Sequence, residues 1–177
     1  MAQYAMFTAA GPDRTGLVDA ISRFIGRCGC NIEDSRMAIL GGEFAMLMLV
    51  SGDEASIDRL LREAPQAAGD AGLAVQARRT KAPSETAPRD TIPYDVAAFS
   101  MDHPGIVHRI SAFLAERRIN IRALDTRVTN APVTGLALFS LQATIDVPSS
   151  QNVIDIRRGL EKIAAEENID IEIKPSR

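Results

Sequence analysis

Two short segments of the 177-residue chain hold most of its potential chemistry. Gly11-Pro12-Asp13-Arg14-Thr15-Gly16 and Met101-Asp102-His103-Pro104-Gly105 each stand between a strand-like run and an amphipathic helix, Leu17 onward in the first case and Ile106 onward in the second. The first N–H groups of a helix have no intrahelical acceptor and the helix dipole favours an anion, while glycine lets a ligand approach the backbone. A small carboxylate suits such a bend. The competing reading is a helix start alone, in which Asp caps, Pro104 fits a first turn and glycine opens a tight bend. Asn31-Ile32 and Asn120-Ile121 come after the helices, before the next strand. An Asn amide can donate to a carboxylate and accept from an ammonium group, the two charged groups of a free amino acid. It also tolerates the left-handed conformation at a helix end.

Other chemistries find less support. His103 beside Asp102 is an acid–base group without a nucleophile motif, and catalysis needs several groups in mutual geometry. Cys28 and Cys30, the two cysteines, are one residue short of a C-x-x-C pair and are expected as reduced structural thiols. With His103 and His108 the only histidines, no metal site and no cofactor are expected. A formal net charge of -3 and 5% aromatic residues argue against a nucleic-acid surface. The pairs Arg117-Arg118 and Arg157-Arg158 are expected as solvated helix-surface charges or as the rim of a protein contact. No run of about 18 apolar residues occurs and the start lacks a signal-peptide pattern, so a cytoplasmic protein without membrane contact is expected.

The elements around the two bends repeat. A shift of 89 residues superposes Asp13, Gly16, Val18, Ile21, Ser22, Phe24, Asn31 and Ile32 on identical residues, from Asp102 to Ile121. Each copy reads strand, helix, strand, strand, helix, strand. Leu17, Val18, Ile21, Phe24 and Ile25 fall on one helical face, as do Ile106, Val107, Ile110, Phe113 and Leu114. Phe44 to Val50 and Leu136 to Ile145 read as central strands, and Gly41-Gly42 as a hairpin turn whose longer counterpart lies at Asn130-Ala131-Pro132. Second helices follow Ser51-Gly52-Asp53-Glu54, a capping box, and a Pro148-Ser149-Ser150 cap. The expected fold is α+β: two ferredoxin-like βαββαβ units, antiparallel sheets with both helices on one face. Their expected bounds are 1–78 and 94–177, joined by a proline-rich linker over 79–93.

Strand, Asp-x-x-Gly bend, amphipathic helix and Asn-Ile together resemble the ACT domain, a ligand-binding regulatory module. The stretch from Cys28 to Arg36 and on through Leu40-Gly41-Gly42-Glu43-Phe44 closely resembles the glycine cleavage system transcriptional repressor family, which has two such units. The resemblance implies a non-catalytic regulator that responds to a small amino acid, glycine or similar, and restrains a DNA-bound transcriptional activator by protein contact. It implies no direct nucleic-acid binding and leaves a homodimer open; a generic sensor regulating a metabolic enzyme is the alternative. It carries a ligand site to Asp13, Gly16, Asn31, Asp102, Gly105 and Asn120, with Arg14, Thr15, Leu17, Ile32, His103, Pro104, Ile106 and Ile121 beside them. Thr15 stands where the family pattern has proline, as Pro104 does.

Overall fold

The computed structural model describes residues 2–86 and 90–176. The chain divides into two compact units, Met1–Ala87 and Pro88–Arg177. In the first unit β1 (Gln3–Pro12), β2 (Asn31–Leu40), β3 (Glu43–Gly52) and β4 (Ala74–Thr80) form an antiparallel sheet ordered β2-β3-β1-β4. Helices α1 (Leu17–Arg27) and α2 (Glu54–Ala71) cover one face of it. A four-residue helix, α3 (Pro83–Thr86), follows. The second unit repeats the pattern with β5 (Thr91–Met101), β6 (Asn120–Asn130), β7 (Ala137–Pro148) and β8 (Asp170–Pro175), ordered β6-β7-β5-β8, under α4 (Ile106–Glu116) and α5 (Val153–Glu167). Of the expected linker, Arg79 and Thr80 belong to β4 and Thr91, Ile92 and Pro93 to β5; Ala87, Pro88 and Arg89 lie outside the described residues.

The periodicity that makes α1 amphipathic also decides what it buries. Leu17, Ile21, Phe24 and Ile25 lie against Phe7, Phe44, Met48 and Val50 of the sheet, all nearly solvent-free. Each such side chain contributes roughly 1.5–3 kcal/mol through burial. Val18, expected on the same face, is 44% exposed because it sits at the edge of the stripe. In α4 the buried set is Ile106, Ile110, Phe113 and Leu114, with Val107 partly buried. α1 stops where Gly29 turns left-handed at φ 81, and the Cys30 N–H returns to the Ile25 carbonyl at 3.2 Å. The same device ends α4, with Arg118 at φ 56 and the Ile119 N–H on Leu114 O at 2.9 Å.

The helix caps differ from expectation at all four starts. Asp53 alone caps α2, accepting the Ser56 N–H at 2.7 Å. Ser51 is spent elsewhere, because β3 runs through it and its hydroxyl donates to Glu33. Asn152 caps α5, its Oδ1 taking the Ile154 N–H at 2.9 Å. Ser149 and Ser150 lie too far ahead in the turn after β7 to reach those N–H groups. Both first helices begin at glycine, Gly16 and Gly105. Gly41-Gly42 makes the β2–β3 turn with φ 60 and 84, the positive values a tight two-residue hairpin requires.

Candidate ligand-binding site

Gly16 and Gly105 are the N-cap residues of α1 and α4, with φ of 91 and 103. Their carbonyls accept the first helical bonds, from Ala20 and Arg109, each at 2.9 Å. Neither cap has a side chain to offer, so no side-chain oxygen covers the first-turn N–H groups. Asp13 and Asp102 therefore do not cap. Their backbone N–H groups instead tie the bend to the neighbouring hairpin, Asp13 to Gly42 O and Asp102 to Ala137 O, both at 2.9 Å. Pro104 precedes the cap glycine and is not in the first turn of α4.

In the first unit the bend opens onto a groove of about 310 Å³. Asp13, Arg14, Thr15, Gly16, Leu17 and Val18 line it from the bend and the start of α1, and Met37, Ile39 and Phe44 from the sheet. Leu17 itself is buried, so its contribution to a ligand is the main chain rather than the side chain. Ile106 is buried in the same way. Met37 and Ile39, at 48% and 53% exposure, are groove residues that motif reading passes over. Their signal is the alternation of apolar residues along β2 on the helix-facing side, where Met37 pairs with Met46 and Ile39 with Phe44.

Arg14 and His103 follow the two Asp residues and make matching contacts. The Arg14 guanidinium donates to the Ala71 carbonyl at 3.0 Å, at the end of α2. His103 Nε2 lies 3.3 Å from the Glu167 carbonyl at the end of α5. Each satisfies an orphan carbonyl of a last helical turn. His103 Nδ1 faces a second carbonyl, Pro104 O, at 3.3 Å, so both ring nitrogens point at backbone oxygens.

Asn31 and Asn120 are not near the bend of their own unit. Asn31 pairs with Ser51 in the β2–β3 ladder, whereas Gly11 pairs with Phe44, seven positions along β3 or about 23 Å away. The Asn31 amide donates to Glu33 at 3.2 Å, and the Ser51 hydroxyl donates to the same carboxylate oxygen at 2.5 Å. These two donors, Ser51 foremost, hold the Glu33 carboxyl below its ordinary range. In the second unit the Asn120 amide and the Arg122 guanidinium both reach Asp146, which is 1% exposed. Ladder shifts fall at the same place in both, between Ile32 and Asp34 and between Ile121 and Ala123, so Glu33 and Arg122 occupy matching bulges. Ile32 and Ile121 pack against the two cores.

Burial raises the thiols of Cys28 and Cys30 above their ordinary value, which keeps them protonated and unreactive. Among the described residues no group of three or more His, Cys, Asp or Glu is placed to hold a metal. What remains in the first unit is a recess at a glycine-opened helix start, with apolar residues of the sheet along it.

Residues 3–78 match the model of the ACT domain family. Along 167 residues, 93% of this chain and 86% of the relative, the sequence is 34% identical to the glycine cleavage system transcriptional repressor of Escherichia coli (strain K12). The chain belongs to the glycine cleavage system transcriptional repressor family. A UPF0237 protein of Methanopyrus kandleri is 42% identical over 67 residues, 37% of this chain and 74% of that one. The crystal structure of an unknown protein from Galdieria sulphuraria superposes over 100% of both chains with a TM-score of 0.82 and 29% identity.

Membership in the repressor family makes the chain a non-catalytic regulator and sets aside the generic enzyme-regulating sensor. The tandem ACT reading of the repeat holds, with two antiparallel four-stranded sheets each carrying its helices. None of the described helices is long and apolar enough to cross a membrane.

Proposed function

We propose that this repressor-family protein responds to a small amino acid, glycine or a close analogue, and restrains transcription by contact with a DNA-bound activator. In this reading it works in the cytoplasm, without touching DNA or membrane, and its ligand carboxylate rests on the uncapped N–H groups after Gly16. One observation carries the ligand half: the glycine-capped start of α1 opens onto a groove of about 310 Å³ between the bend and β2. Asn31 and Asn120, held by Glu33 and Asp146, are expected to matter less than the bend for a ligand seated within one unit.

The test is a thermal scan of the intact chain against a panel of amino acids. A ligand at 100 times its dissociation constant adds about 2.7 kcal/mol, or a melting shift of about 5–10 °C for a chain of this size. Met37→Glu, at a half-exposed groove wall, places a carboxylate against the ligand's own and should abolish the shift while leaving the unliganded melt near its original temperature. A panel without any shift, or a shift indifferent to Met37→Glu, overturns the site.

A further inference from the structure

The helix-covered side of the first unit has a second recess. Between α1 and α2 lies a cavity of about 140 Å³ walled mainly by Phe7, Ile21, Phe24, Ala67 and Leu73. It runs into a wider polar groove that shares Phe24, Arg27 and Ala67 with it and adds Arg59 and Arg62. Arg27, Arg59 and Arg62 are all exposed, and among the described residues none of them forms an ion pair. Among the described residues Glu63 is the one carboxylate on the groove lining, and Asp58 nearby is taken up by Arg79 at 2.6 Å. The groove is therefore positive around an apolar slot.

The second unit, built on the same plan, has a groove of about 450 Å³ here, lined by Phe113, Glu116, Lys162 and Glu166 among others, but ion pairs bridge it. Arg109 of α4 reaches across to Glu166 at 2.5 Å and to Glu167 at 2.9 Å on α5. The residues matching Arg109 and Glu166 in the first unit are Ala20 and Ala67, by the 89-residue shift for one helix and by alignment of the Asp53 and Asn152 caps for the other. Ile163, buried on α5, becomes Ala64. The charges differ as well: Arg27 stands for Glu116 and Arg62 for Glu161, with the single opposite exchange of Glu63 for Lys162. One copy has an ion-paired, mixed-charge groove, and the other a mainly cationic groove beside an apolar slot of side-chain size.

We infer that the α1–α2 groove of the first unit is a docking surface for an acidic polypeptide segment that inserts one apolar side chain between the helices. The slot takes a single leucine- or phenylalanine-sized group, and the arginines, spread over the end of α1 and the middle of α2, span more than one carboxylate of a small metabolite can reach. A free amino acid fits poorly, since its ammonium group meets guanidinium groups. Charge complementarity selects the partner here and the apolar anchor supplies the affinity. The inference rests on the protein-contact half of the proposed function and not on the ligand half.

The experiment is fluorescence anisotropy of three labelled helical peptides with the intact chain: one phenylalanine flanked by glutamates, the same peptide with serine for phenylalanine, and the same with lysines for glutamates. The first peptide should bind, and the other two at least about tenfold more weakly. Arg59→Glu with Arg62→Glu should weaken the first peptide by about tenfold or more, as desolvated charge pairs do, whereas Arg158→Glu on the second unit should leave it unchanged. Ala67→Leu, which fills the slot, should erase the advantage of phenylalanine over serine. No binding of the first peptide, or binding indifferent to the double charge reversal, overturns the docking surface. Neither amino acid nor activator is present in the assay, so failure of the amino-acid panel and failure of this surface are separate results.

Discussion

Gly29 and Arg118 hold the same post in the two copies, each ending a helix in left-handed backbone. Glycine accepts that conformation without cost, whereas a side chain there is unfavourable by about 1 kcal/mol. Arg118→Gly should therefore raise stability by about 1 kcal/mol in denaturant melts. Gly29→Ala should lower it by more than the backbone term alone, because its new methyl would stand 2.8 Å from Ser56 Oγ. Glu33 supplies a pH effect with a definite sign. Its carboxyl is held low by Ser51 and Asn31, so its contribution is complete above the unfolded-state value and is lost as pH falls through the lower folded-state value. Ser51→Ala should move the Glu33 midpoint upward in a carboxylate NMR titration; an unmoved midpoint contradicts the assignment of cause. Ser100 is the reverse case: its buried hydroxyl lacks a partner among the described residues, so Ser100→Ala should be neutral or slightly stabilising.

Helix on helix, the second unit depends on one absence. At Gly159 of α5, an added Cβ would lie 2.2 Å from the Phe113 ring of α4. The ring is also held from its other surroundings by the Arg117 guanidinium, 3.8 Å from the ring centroid. Gly159→Ala gains about 1 kcal/mol of helix propensity and meets about 1–3 kcal/mol of overpacking, so it should destabilise the fold or leave it no better. A clear rise in denaturation midpoint would refute the contact. Helix faces and strand order were legible in the sequence because Ile21, Phe24 and Ile25 repeat at helical spacing and the copy at Ile110, Phe113 and Leu114 repeats them again. The caps were less legible. Several Ser, Asp and Asn residues stand before each helix, and only the path of the preceding strand decides which one has its oxygen at the helix mouth. Of the arginine pairs, expected as solvated charge or as the rim of a protein contact, Arg117 also stacks on Phe113, and Arg157 donates to Ile173 O at 3.3 Å.

For the whole molecule, the duplication told most about fold and least about the site. The bends were recognisable from Asp, Gly and the helix that follows, yet Arg14 and His103 turn to helix ends, and Met37 and Ile39 come from a strand far along the chain. Motif spacing records neighbours in sequence; groove walls are neighbours across a ladder. Charge is a property of this scale too. With a formal net charge of -3, the intact chain alone should not retard duplex DNA at physiological salt. A salt-sensitive gel shift by the purified protein would reverse that expectation.

The main-chain bonds from Asp13 to Gly42 and from Asp102 to Ala137 have one more effect. An amide whose acceptor lies across a β-hairpin exchanges its proton only when that corner lifts, so each bend and the tip beside it breathe as one body. Anything that stills the bend also slows deuterium uptake at the tip, and the outer rim of each sheet becomes a gauge of what its helix mouth holds.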